Sequence, residues 1–209
     1  QNKNAPWGPM VNLGAAINPG DHEFCPTPLG GGWLLFVSDR PACGATPGLA
    51  PPVGDIYLTR QHPDGTWQVP QHLGCVADGT GPNFVGGEFG PSLRETPLGT
   101  YLYFSSTGTT GNHDIYRSLL VNGTFAAPQP VAELNSGAVD QMPNLSADGT
   151  EIVFASSRGG NMDIYTATFD VFTGLWTAYY LLRENPTLKV VVLEAAREVN
   201  PLGGRRTGA

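Results

Sequence analysis

"PNLSADGTEIVFASSRGGNMDIYTA", residues 143–167, is the stretch whose reading decides the fold. A proline precedes an Asp-Gly turn, an apolar run closes on Ser-Ser-Arg, and a Gly-containing loop leads into Asp-Ile-Tyr. That tripeptide recurs in "GDIYLT" (54–59) and "HDIYRS" (113–118). Each copy follows an apolar run ending in small polar residues: "WLLFVSDR" (33–40), "YLYFSST" (101–107) and "EIVFASSR" (151–158). β-branched and aromatic runs bounded by turn residues read as strands, so the period is one of supersecondary units.

Working outward, each unit has a proline upstream, in "EFCPTPLGGG", "EFGPSLRETPLGT" and "DQMPNLSADGT", and a turn with an aromatic strand downstream. The downstream stretches are "DGTWQVPQHLG" (64–74), "NGTFAAPQPVAEL" (122–134) and "TGLWTAYYLL" (173–182). A sheet of four short strands cannot bury both faces alone and must stack on its neighbours. The expectation is an all-β chain, a small β-propeller of four-stranded blades, four or five in number. "APWGPMVNLG" (5–14) repeats the pattern of "TWQVPQHLG" without inner strands of its own. An N-terminal outer strand of this kind closes a ring and removes the exposed sheet edge.

Composition agrees. The chain holds 28 Gly and 19 Pro among 209 residues with only 14% charged side chains, which suits short strands and tight turns. Its formal charge of -7, with no basic cluster before residue 180, argues against a nucleic-acid partner. No apolar run of eighteen or more residues is present to span a bilayer. One domain, 1–209, is expected, with an atypical segment at 181–209 that completes the last blade. Within it "LKVVVLEA" (188–195) reads as a buried strand or a strand entering a short helix. Cys43 and Cys75 lie in Gly/Pro-rich loops and can pair in an oxidising compartment, whereas Cys25 reads as a buried thiol.

The stretch at 143–167 resembles the WD-like repeat of TolB-type β-propellers, in its Pro-x-x-Ser-x-Asp-Gly turn, its Phe-x-Ser-x-Arg strand end and its Asp-Ile-Tyr. The resemblance covers about residues 5–180. The first copy has "PTPLGGG" and the second "RETPLGT" in place of the Asp-Gly turn. It implies a periplasmic or secreted protein and a non-catalytic module that holds protein partners on the ring face.

The residues themselves raise a second function. A carboxylate stands three positions before each repeat proline: Glu23, Glu88 and Asp140. Carboxylates converging on a channel repel one another unless a cation intervenes, and hard oxygen ligands suit Ca²⁺ or Mg²⁺. The expectation is a Ca²⁺-dependent hydrolase of lactone, ester or phosphodiester substrates. Its metal ligands would be Glu23, Glu88 and Asp140, and its acid–base groups His22, Glu88 and His113. The competing reading is that residues repeated in every blade build the repeat. Asp55, Asp114 and Asp163 are expected to hold the preceding loops, with Arg40 and Arg158 as their ion-pair partners.

Overall fold

The computed structural model describes residues 6–40, 42–43, 54–96, 98–108 and 111–169. Within these, twelve strands form three antiparallel sheets, with no α-helix. The first sheet orders β1 (Glu23–Pro28), β2 (Trp33–Ser38), β3 (Asp55–Arg60) and β4 (Gln71–His72). The second orders β5 (Glu88–Thr96), β6 (Gly99–Ser106), β7 (Asp114–Val121) and β8 (Thr124–Phe125), with β9 (Gln129–Pro130) also paired to β7. The third orders β10 (Asp140–Leu145), β11 (Glu151–Ser156) and β12 (Asp163–Thr168). Each Asp-Ile-Tyr opens the third strand of its sheet, as its spacing predicts. Among the described residues none of the three sheets is itself closed, and the expected strands at 173–182 and 188–195 and the segment 181–209 lie outside the described residues.

The first strand of every sheet opens on the repeat carboxylate, three residues earlier than the proline. The same irregularity follows each time: the register against the second strand shifts between Phe24 and Thr27, Phe89 and Ser92, and Gln141 and Asn144. At its centre the backbone is left-handed, with φ of 51° at Cys25, 58° at Gly90 and 56° at Met142. A proline follows each, where the missing N–H costs no ladder bond. The bulge bends the strand and sets the carboxylate opposite the serine that ends the second strand: Glu23 with Ser38, Glu88 with Ser106 and Asp140 with Ser156.

Apolar residues alternate along these strands and fill the layers between sheets. Leu35, Val37 and Ile56 of the first sheet cluster with Leu102, Phe104 and Tyr116 of the second. Tyr103 and Ile115 of the second cluster with Leu145, Ile152 and Phe154 of the third. Successive sheets therefore share one core each, the face-to-face packing expected of repeat units. An asparagine after the outer strand pins the start of its own sheet's third strand. Asn83 Oδ1 accepts Ile56 N–H at 2.8 Å and Asn135 Oδ1 accepts Ile115 N–H at 2.7 Å.

The N-terminal stretch differs from expectation. Residues 6–14 form no strand, and Trp7, Met10 and Val11 are exposed. Its counterparts lie on a neighbouring strand: Leu73 N–H donates to Ile56 O and Val131 N–H to Ile115 O. The strands expected beside this stretch belong to the C-terminal segment, outside the described residues.

Candidate functional site

Two of the three repeat carboxylates are neutralised inside their own sheet. Arg40 donates from Nε to Ser38 Oγ at 2.8 Å and from Nη2 to Glu23 Oε1 at 3.2 Å, while its guanidinium lies over Tyr57 at 4.9 Å. Arg158 repeats the arrangement, from Nε to Ser156 Oγ at 2.8 Å and from Nη2 to Asp140 Oδ1 at 2.6 Å, over Tyr165 at 5.0 Å. The same Nη2 atoms donate to Ile17 O and Leu134 O, residues six before each carboxylate. Burial opposes the charge on Asp140, but hydrogen bonds from Arg158, Ser156 and Ser136 outweigh it and hold its pKa below the ordinary range. The arginines thus serve Glu23 and Asp140, not the aspartates of Asp-Ile-Tyr.

The second sheet breaks the pattern. Gly108 occupies the place of the arginine, two residues after Ser106. Glu88 is fully buried, and its Oε1 accepts from Phe84 N–H at 2.8 Å and Ser106 Oγ at 3.1 Å. Its Oε2 is buried with no hydrogen-bond partner. Burial pushes the Glu88 pKa well above the carboxylate range, and Asp55 adds to the rise. Where an arginine covers Tyr57 and Tyr165, the Phe84 ring lies 4.9 Å from Tyr116.

No hydrogen bond joins any two of the expected acid–base residues His22, Glu88 and His113. His22 pairs through Nδ1 with Asp39 Oδ2 at 2.7 Å, and that hydrogen bond raises its pKa. His113 lies edge-on to Phe89 at 5.1 Å with its Nδ1 buried and unpartnered, and burial lowers its pKa. The carboxylates Glu23, Glu88 and Asp140 do not form a ligand group either. Among the described residues the one set with ligand atoms mutually within 4.8 Å is Cys43, His72 and Cys75.

That constellation was not legible as a site. Cys43 and Cys75 form a disulfide with a Cα–Cα distance of 5.5 Å, tying the loop after β2 to the loop after β4. Cys43 Sγ lies 3.5 Å from His72 Nε2, and Asp55 Oδ2 lies 2.9 Å from the same nitrogen. Asp55 also accepts Cys43 N–H at 2.7 Å, so it does hold the loop before it. His72 Nδ1 accepts Gly74 N–H at 3.2 Å, which places the imidazole proton on Nε2. Because Asp55 and Cys43 share one nitrogen, this is not a nucleophile–base–acid relay, whose members occupy opposite nitrogens. The signal that points to it is "HLGC" (72–75), which sets an imidazole three residues from a sulfur just past a strand end.

No known protein family and no curated protein matches the chain.

Proposed function

We propose that the chain is a non-catalytic, TolB-like propeller module that binds a protein partner by strand addition through residues 7–13. One observation carries this reading: Trp7, Met10, Val11 and Leu13 are exposed, while Leu73 and Val131, six residues past Trp67 and Phe125 as Leu13 is past Trp7, are buried against Asp-Ile-Tyr strands. An exposed apolar run whose backbone lacks a donor only at Pro9 suits an open sheet edge. Asn18 fits the same picture. Its counterparts pin Ile56 and Ile115, whereas its own Nδ2 turns back to Asn12 Oδ1 at 3.1 Å. The partner is therefore a blade of this repeat type with an uncovered third strand.

The hydrolase expectation draws less support, since Arg40 and Arg158 already supply the positive charge that a channel Ca²⁺ or Mg²⁺ would bring to Glu23 and Asp140. A periplasmic or secreted setting belongs to the proposal, and the Cys43–Cys75 disulfide is compatible with it. No described helix is long and apolar enough to cross a membrane.

Within the chain itself β12 is a third strand with no fourth strand paired to it among the described residues, and Ile164 is exposed. Sedimentation across a range of chain concentrations tests the proposal. Self-association that a Trp7→Ala, Val11→Asp double variant abolishes is expected. A chain that stays monomeric and loses no partner binding on that double substitution would sink it.

A further inference from the structure

We propose that the Cys43–Cys75 disulfide is a thiol-exchange site, opened by an external thiolate that attacks Cys75 and expels Cys43. Access sets the direction. Cys43 is 8% exposed, whereas Cys75 is only partly buried, so an incoming thiolate reaches the Cys75 sulfur. The leaving group sets it as well, because exchange is faster when the departing thiolate is stabilised. The proton on His72 Nε2, held there because Nδ1 is occupied by Gly74 N–H, is shared between Asp55 Oδ2 at 2.9 Å and Cys43 Sγ at 3.5 Å, and the thiolate that forms on Cys43 is a stronger acceptor for it than the disulfide sulfur. Asp55 Oδ2 and the Tyr57 ring, 5.1 Å from the imidazole, fix the ring in that orientation.

The chemistry closes without an unnamed reagent. The attacking thiolate forms a sulfur–sulfur bond with Cys75 Sγ. The electron pair of the old disulfide leaves on Cys43 Sγ, which accepts the Nε2–H hydrogen bond. When the reagent is a dithiol, its second thiolate attacks its own first sulfur and releases Cys75. The dithiol is then oxidised, the two cysteines are reduced, and the two thiol protons of the reagent pass to them. The partner class is a small thiol or a protein dithiol.

His72 is a positioning residue in this scheme, so its substitution must change a rate and not merely the fold. Glutathione is the probe, used on the full chain with Cys25 alkylated beforehand and the products trapped with acid and N-ethylmaleimide. Peptide mapping should find glutathione on Cys75 and maleimide on Cys43. His72→Ala should slow opening by about tenfold, the loss of one good hydrogen bond, and His72→Gln should restore most of it by keeping an N–H donor. The proposal is overturned if the adduct sits on Cys43. It is overturned equally if the folded disulfide resists glutathione while the denatured chain reacts, or if all three chains open at one rate. The wild-type map needs no variant, so a misfolded His72→Ala cannot obscure the result.

Discussion

At the scale of single residues, the repeat separates what a carboxylate does from where it sits. Glu23, Glu88 and Asp140 hold one position in three sheets, yet two have an arginine and the third has a glycine in its place. Removing the guanidinium from Asp140 leaves a fully buried charge with its serine and backbone donors alone. Arg158→Ala should therefore destabilise the fold by about 2–4 kcal/mol, measured by urea unfolding near neutral pH. Because the folded pKa of Asp140 is depressed, its contribution is present above the unfolded carboxylate pKa and fades as pH falls through the folded value. The Arg158→Ala penalty should shrink in that acidic range.

Glu88 carries the opposite sign. Its folded pKa is raised, so its side chain is best tolerated below the unfolded pKa of about 4, and stability falls as pH rises from there towards the folded value. Glu88→Gln keeps the shape and removes the ionisation. It should raise stability at neutral pH and flatten the dependence between acidic and neutral buffer, both readable from paired denaturation curves. A variant less stable than the parent at neutral pH would show that Glu88 is held as a charge.

At the scale of elements, the legible and the illegible parts of the fold divide by range. Asp-Ile-Tyr and the apolar runs before it report local strand propensity, and their positions as second and third strands follow from sequence alone. The shared bulge was half visible: the repeat prolines mark it, but nothing in Cys25 or Met142 announces a left-handed backbone, which β-strand sequences rarely adopt. Gly90 is the member suited to that conformation, and an added Cβ there would meet Met142 Cα at 2.8 Å. Gly90→Ala should cost about 1–3 kcal/mol, from the left-handed φ and from pressing the first strands of the second and third sheets apart. The arginine partners were misread because Arg158 is close in sequence to Asp163 but reaches Asp140 across the sheet, as Arg40 reaches Glu23. The pairing of Cys43 with Cys75 was legible from their loops, but the place of His72 beside it was missed, because β3 and β4 fold two loops together across a gap that composition does not record. Replacing both Cys43 and Cys75 by serine should lower stability by about 3–4 kcal/mol, given a sequence separation of 32, read by thermal unfolding in oxidising buffer.

At the scale of the whole molecule, three sheets share two cores, and residues 7–18 repeat a sheet-edge unit that covers no edge among the described residues. The expectation of an acidic metal channel rested on equivalent positions pointing to one axis. Inside the molecule those positions look into their own sheets, towards Ser38, Ser106 and Ser156. Among the described residues the N-terminal stretch pairs with no strand and exposes Trp7, Met10 and Val11, which is why the proposed function rests on β-augmentation. Hydrogen exchange at the amides of residues 7–14, read at low and high chain concentration, tests this most directly. Fast exchange at low concentration, giving way to protection of that stretch together with β12 as the concentration rises, is the predicted result. Protection confined to other segments, or none at any concentration with Trp7 equally exposed throughout, would contradict it.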